Sequence, residues 1–248
     1  MDDEGFEAAI LSKAAYDHLR EGPEVTQAEL LEYGLAGYTL DREFSDDDSV
    51  TIVRPDGSIV IGHRGTDSVR DLLPDAAILF GRHAAAVGLP FVDDRFDLAS
   101  RKYERVRAAF PGADISTVGH SLGGTLADHV GRKHGIKSLA FNPGSTPHAE
   151  AMRYVFGGGG GRVYSTGSDP ISYAAYLFGS DVVRVPPAPD GDWLSHGLNH
   201  FLPARRTSSE PPEYLLPVST LSGERVPYCV AHPELCPSGR RQEKTLDK

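Results

Sequence analysis

The fold is constrained most strongly by residues 114–135, DISTVGHSLGGTLADHVGRKHG. Residues 115–118 favour a β-strand, and the chain from Leu122 onward has the pattern of a helix. Between them, residues 119–123 form a turn of small residues that fits the pattern G-x-S-x-G. The sequence therefore predicts a strand, a sharp turn and a helix, with Ser121 on the turn.

This turn has a physical reason for its composition. A serine held between a strand and a helix adopts strained backbone angles, and its hydroxyl stands clear of the sheet edge. We expect the two elements to approach so closely that only glycine fits at positions 119 and 123. The helix N-terminus behind Ser121 supplies N–H groups and a positive dipole where an oxyanion would form. A Gly-rich turn without chemistry is the alternative, which the flanking strand and helix disfavour.

Helices and strands alternate along the chain, which predicts an α/β fold with a mostly parallel central sheet and helices on both faces. The predicted domain covers residues 1–202, and the Pro-, Ser- and charge-rich residues 203–248 are interpreted as an irregular tail, either packed loosely or disordered. The predicted helices cover residues 6–20, 26–33 (with Thr26 as N-cap), 69–79 and 96–110, and the predicted strands cover residues 50–54, 58–62, 136–141, 162–166 and 182–185.

A serine nucleophile requires a base, and the base requires an acid that orients it. Asp169 fits the acid because it follows a predicted strand, whereas its rival Asp181 precedes one and should point to the opposite edge. His196 and His200 both follow the last strand, and we favour His196 as the base with His200 as the alternative. His120 precedes the serine, so it should turn inward as a support.

A second polar cluster, residues 63–68 (HRGTDS), follows the predicted strand 58–62. Functional loops of α/β sheets lie at such strand ends, although Thr66 as an ordinary helix cap is the alternative. Residues 76–91 are unusually apolar, which fits either a core helix or a hydrophobic lid.

With both motifs in view, GHSLGGTLA and HRGTDSVRDLLPD, the chain from its first predicted helix (residues 6–20) to about Phe201 resembles the class 3 (fungal-lipase-like) lipase family of α/β-hydrolases. The resemblance implies Ser121 as nucleophile, Asp169 as triad acid and a histidine near the last strand as base. It also implies an oxyanion hole formed by the backbone N–H groups of Thr66 and Leu122, with Asp75 as a possible support for that loop.

We therefore expect a serine hydrolase that cleaves carboxylic esters, of lipase or esterase type, with a lipid or small-molecule ester as substrate and no cofactor or metal. The alternatives are phospholipase A1-type, thioesterase or acyltransferase activity on the same residues, or a non-catalytic binding module with this fold. Oligomeric state is not readable from the sequence.

Charge and composition exclude other classes of function. The net charge of −10 argues against nucleic acid as a partner. No apolar stretch reaches the length of a membrane span and no signal peptide is visible, so we expect a soluble protein, cytoplasmic or secreted.

Cys229, His232 and Cys236 lack a fourth zinc ligand nearby, and the two thiols could be free or form a short disulfide. The three adjacent carboxylates of residues 46–48 are interpreted as a solvated loop rather than a metal site.

Overall fold

The computed structural model describes residues 1–65, 93–144, 161–167, 169, 172, 182–187, 196–203, 217–219 and 225–227. Its centre is a seven-stranded sheet whose strands lie side by side in their order along the chain. The strands are β1 (Thr39–Asp46), β2 (Ser49–Val53), β3 (Ile59–His63), β4 (Ile115–His120), β5 (Ser138–Phe141), β6 (Gly161–Thr166) and β7 (Val182–Val185). The described helices are α1 (Asp3–Glu21), α2 (Pro23–Glu32), α3 (Asp93–Ala109), α4 (Leu122–His134) and a 3₁₀ turn (Leu198–His200).

Most of the sheet is parallel. The pairs β1–β2 and β2–β3 are antiparallel, and the four pairs from β3 to β7 are parallel. The register places His63 of β3 beside Gly119 of β4, and His120 of β4 beside Phe141 of β5. The carboxyl ends of these strands therefore meet at one edge, where ligands bind in open α/β sheets.

Helices cover both faces of this sheet. Neighbouring residues of β3 point to opposite faces, so Val60 packs with α1 and Ile61 packs with α3 and α4. The α1 face is filled by Leu11, Val118, Leu139, Phe141 and Phe201, and the other face by Phe96, Val106, Ile115, Leu126 and Val130. The predicted fold class, α/β with a mostly parallel central sheet and helices on both faces, is confirmed.

The first two helices begin earlier than predicted. Helix α1 starts at Asp3 rather than at position 6, because the carboxylate of Asp2 caps it by accepting from the N–H of Gly5. Helix α2 starts at Pro23, so the prediction of Thr26 as its N-cap was wrong. Proline needs no acceptor for its nitrogen at a first helical position, and the Thr26 hydroxyl donates back to the carbonyl of Gly22.

Strand β1 was not predicted. It is an edge strand with mostly exposed or half-buried side chains and an irregular register between Asp41 and Asp46, so it shows no apolar alternation. Asp46 also belongs to the run predicted as a solvated loop, and it ends β1 by accepting from the N–H groups of Asp48 and Ser49. This carboxylate therefore stabilises the turn into β2.

Several predictions concern residues outside the described ones: the helix 69–79, the segment 76–91, and the state of Cys229 and Cys236. Within the predicted tail 203–248, the structure contains a short antiparallel pair of strands, β8 (Pro217–Ser219) and β9 (Arg225–Pro227). The domain boundary after residue 202 stays a prediction. No helix among the described residues combines the length and the apolar character needed to cross a membrane.

The first turn of α4 packs against the sheet with no room for a side chain. A Cβ on Gly119 would lie 2.2 Å from the carbonyl oxygen of Gly123 in α4. A Cβ on Gly123 would lie 2.1 Å from the carbonyl oxygen of His63, at the end of β3. The expected close approach is therefore present, but the second glycine faces β3 rather than the strand that leads into the turn.

We expect Gly123→Ala to destabilise the fold by about 3 kcal/mol, because its Cβ meets main-chain atoms that cannot move aside. The control is Gly135→Ala at the left-handed end of α4, where nothing lies within 4 Å and the backbone strain costs about 1 kcal/mol. Urea unfolding of both variants measures the difference. An equal loss of stability in the two variants would contradict this account of the packing.

Candidate active site

Ser121 occupies the turn between β4 and α4 in a conformation that residues other than glycine rarely adopt, with φ 58° and ψ −127°. Its N–H donates to the carbonyl of Phe141 over 3.0 Å, and its carbonyl accepts from the N–H of Thr125 over 3.1 Å. Such strain costs about 1–3 kcal/mol and persists only where the surrounding structure imposes it. Here β5 and α4 hold the backbone on both sides.

The structure brings Ser121, His196 and Asp169 together in a chain of two hydrogen bonds. Ser121 Oγ lies 2.9 Å from His196 Nε2, and His196 Nδ1 lies 2.9 Å from Asp169 Oδ2. An ionised carboxylate can only accept, so we assign the ring proton to Nδ1 and let the serine hydroxyl donate to Nε2. The three side chains are buried, with Asp169 fully enclosed. This geometry is the one in which an imidazole can take a proton from a hydroxyl.

The two histidines that the sequence left open have different positions. His200 is the last residue of the 3₁₀ turn Leu198–His200, and it is buried there. Its ring makes no described hydrogen bond to Ser121, whereas that of His196 does. The rival acid Asp181 lies outside the described residues.

The carbonyl of His196 is anchored by two side chains. His120 Nε2 donates to it over 2.7 Å, and Asn142 Nδ2 donates to it over 3.1 Å. The other nitrogen of His120 lies 3.0 Å from the hydroxyl of Tyr16 in α1, and since Nε2 carries the proton, Nδ1 accepts from that hydroxyl. As predicted, His120 turns inward and supports its neighbours.

Sequence reasoning missed Tyr16 and Asn142. Asn142 directly follows β5 and has a positive φ of 39°, and its Oδ1 accepts from the N–H of Thr166 and from the hydroxyl of Ser172. Ser172 in turn donates its N–H to Asp169. The Asn-Pro-Gly exit from β5 was a usable signal for Asn142, whereas no local pattern marks Tyr16, which lies 104 residues before its partner.

Of the two residues predicted to form an oxyanion hole, the structure describes only Leu122. It is the first residue of α4, where backbone N–H groups have no acceptor within the helix. Thr66 lies outside the described residues. The preceding Gly65 lies close to the turn, since a Cβ on it would be 2.6 Å from the carbonyl oxygen of His120 and 3.3 Å from Cβ of Ser121.

His63, at the end of β3, is buried and neutral. Burial is the main reason why its pKa is lowered to about 3, and the positive charge of Lys102 contributes to the same shift. Its Nε2 has no hydrogen-bond partner among the residues that the structure describes. A buried polar atom of this kind is uncommon in a native fold and calls for an explanation.

Within the described part of the chain, no three His, Cys, Asp or Glu side chains are grouped as they would be to hold a metal ion. The absence of a cofactor therefore remains an expectation from the sequence.

Comparison with known proteins finds similarity to a protein family and to solved structures. The model of "Uncharacterised protein family (UPF0227)" matches residues 90–158, which include the turn at Ser121. The crystal structure of a mutant form of MDLA from Penicillium cyclopium is similar over 75% of this chain and 80% of that chain, with 16% identity and a TM-score of 0.48. No curated protein matches the sequence.

The buried His63 predicts a dependence of stability on pH. Its pKa is about 3 when folded and about 6.5 when unfolded, so between these values the unfolded chain binds more protons. Its contribution to stability is therefore complete above pH 6.5 and is lost as the pH falls towards 3, by on the order of a few kcal/mol in total. We expect the variant His63→Phe to lose less stability than wild type between pH 7 and pH 4.5.

Urea unfolding at several pH values measures this slope. Asp17, whose pKa burial raises to about 7, is protonated more when folded and so contributes the opposite slope in both proteins. The difference between variant and wild type isolates His63. The control is His134→Gln. This variant removes a histidine whose pKa is also lowered but whose side chain, unlike that of His63, is partly exposed. Equal slopes for wild type and His63→Phe would contradict the assignment.

Proposed function

We propose that this protein is a serine hydrolase that cleaves carboxylic esters through Ser121, His196 and Asp169. The observation that carries the proposal is the pair of 2.9 Å contacts that link these three side chains. The strained backbone of Ser121 supports it, because strain of this kind collects at sites where it serves function. An ordinary Gly-rich turn would not need a non-glycine residue at positive φ.

In the first half of the reaction, Ser121 Oγ attacks the carbonyl carbon of the ester while His196 Nε2 takes the hydroxyl proton. The carbonyl oxygen becomes an oxyanion beside the N–H of Leu122, the first donor of α4. By the resemblance to class 3 lipases, the N–H of Thr66 is the second donor. The C–O bond then breaks, and the alcohol leaves with the proton returned by His196.

In the second half, water attacks the acyl-enzyme and gives a proton to His196. Collapse of the second tetrahedral intermediate releases the carboxylic acid and returns the proton to Ser121. Asp169 stays ionised and holds the Nδ1–H of His196, which stabilises the imidazolium formed in both halves. The anchored carbonyl of His196 keeps the ring in place, since His120 and Asn142 fix the main chain that carries it.

The sequence motifs support a proposal for the substrate class. GHSLGGTLA and HRGTDSVRDLLPD resemble class 3 lipases, which favours esters with an acyl chain, including glycerides. A series of p-nitrophenyl esters of increasing chain length tests this part of the proposal, because a lipase-type acyl site prefers longer chains.

We expect Ser121→Ala to lose turnover by about a millionfold, because no other group supplies the nucleophile. The variant should keep its fold and lose covalent labelling by a fluorophosphonate probe. The control is Ser12→Ala, which removes a buried hydroxyl that donates to the carbonyl of Ala8 within α1. Near-wild-type hydrolysis by folded Ser121→Ala would overturn the proposal. A wild-type protein that neither labels nor hydrolyses any ester would be a binding module instead.

His196 and His200 provide a matched pair for the base. We expect His196→Ala to cost about as much turnover as Ser121→Ala, since the two residues act as one unit. His200→Ala should cost less than about tenfold, because its ring makes no described contact with Ser121. The double variant Ser121→Ala/His196→Ala should be no worse than either single variant. A larger loss in His200→Ala than in His196→Ala would show that the wrong histidine has been assigned.

A further inference from the structure

A cavity of about 240 Å³ lies on the α3 face of the sheet, beside the end of β3. The described residues that line it include none of Ser121, His196 and Asp169, so it is a separate space from the proposed reaction centre. Its described lining comes from the β1–β2 turn, from His63, from α3 and from Leu126 of α4.

The charge around this cavity is positive. Four cations of α3 line it at the spacing of one helical face, Arg95, Arg101, Lys102 and Arg105, against two carboxylates, Asp46 and Asp48. Four positive and two negative charges leave an excess of two positive charges, because His63 is neutral. In a protein with a net charge of −10, this local excess marks a place that attracts anions.

Both carboxylates of the cavity lining already form ion pairs. Lys102 Nζ lies 2.8 Å from Asp46 Oδ2, and Arg95 lies 3.2 Å from Asp48 Oδ1. Asp48 is also held by Arg64, at 3.3 Å. Arg101 and Arg105 are the exposed cations on the same face, and the guanidinium of Arg105 lies over the ring of Phe44.

His63 supplies an independent sign of a ligand. The residue is 1% exposed and is among those that line the cavity, and its Nε2 has no partner among the described residues. A neutral imidazole can carry its proton on Nε2 and donate it to an anion in the cavity. Such a hydrogen bond would give His63 Nε2 the partner that it lacks among the described residues.

We propose that this cavity binds a small monocarboxylate with a short apolar tail, held by His63 and by the arginines of α3. Leu98, Ala99 and Leu126 give the cavity an apolar side, and Leu98 is exposed by 50%. An arginine guanidinium matches a carboxylate with two parallel hydrogen bonds. This site does not depend on the proposed hydrolase activity.

Size and charge favour this ligand over a phosphate. A space of about 240 Å³ exceeds what a single phosphate ion fills and accommodates a short-chain acid, for which hexanoate serves as the probe. Asp46 and Asp48 also line the cavity and repel a second negative charge, so a monoanion is bound at less cost than a dianion. Inorganic phosphate also leaves the apolar side in contact with water.

The test is calorimetric titration of the full chain carrying Ser121→Ala with sodium hexanoate, 1-hexanol and inorganic phosphate. We expect saturable hexanoate binding. Hexanol and phosphate should each bind at least about tenfold more weakly, because hexanol lacks the carboxylate and phosphate lacks the apolar tail. The double variant Arg101→Gln/Arg105→Gln should weaken hexanoate binding by about tenfold or more. The control is Arg107→Gln, on the same helix and outside the cavity lining, which should bind as the parent does.

Three outcomes of the titration would contradict the site. No saturable binding of hexanoate, or equal binding of hexanol or phosphate, would overturn the proposal. Equal weakening in Arg107→Gln and in the double variant would show a general charge effect rather than a site.

A second measurement leaves the buried histidine intact. In ¹⁵N NMR spectra of the histidine rings, hexanoate should shift the Nε2 resonance of His63 with the same saturation as the calorimetric curve. Hexanoate binding that shifts the His196 ring and leaves His63 unchanged would place the ligand at Ser121 and overturn this site. Because the Ser121→Ala chain is used throughout, failure of the proposed hydrolase activity leaves this result interpretable.

Discussion

The candidate site depends on main-chain contact between the first turn of α4 and the ends of β3 and β4. At Gly119 and Gly123 these main chains approach to a distance that no Cβ can share. This contact fixes the direction in which the chain leaves the sheet, and so fixes the strained angles of Ser121. The hydroxyl then stands at the sheet edge with the start of a helix directly behind it. Strain, position and electrostatic environment are therefore consequences of one packing constraint.

The histidine end of the site is organised differently, since it is fixed through a carbonyl group. His120 and Asn142 converge on the carbonyl of His196 from β4 and from the end of β5, and Tyr16 of α1 holds His120. Asn142 also reaches Ser172, which bonds to Asp169. One hydrogen-bond network thus connects the main chain of the histidine with the carboxylate that its ring contacts. A helix that lies beneath the sheet contributes to the site without approaching Ser121 Oγ directly.

The sequence predicted the local parts of this arrangement well. The strand, turn and helix around Ser121 are encoded within about twenty residues, and Asp169 was placed by its position after a strand. Strand β1 could not be found by apolar alternation, because an edge strand with polar side chains has none. The choice between His196 and His200 depends on the path of the chain into the 3₁₀ turn Leu198–His200, which holds His200 and follows His196, and spacing alone does not encode that path. Tyr16 was missed because its partner His120 lies 104 residues away in the sequence, and no local pattern marks such a contact.

The bonds of the site join parts of the chain that are far apart in sequence. Tyr16 and His120 are 104 residues apart, His120 and His196 are 76 apart, and Ser121 and His196 are 75 apart. Closing such long loops is slow compared with forming a strand and its adjacent helix. During synthesis, the segment carrying Ser121 leaves the ribosome well before residue 196 does. A nascent chain therefore carries the serine turn for a time without its imidazole partner, and the contact between Ser121 and His196 forms only when the segment that carries His196 has docked.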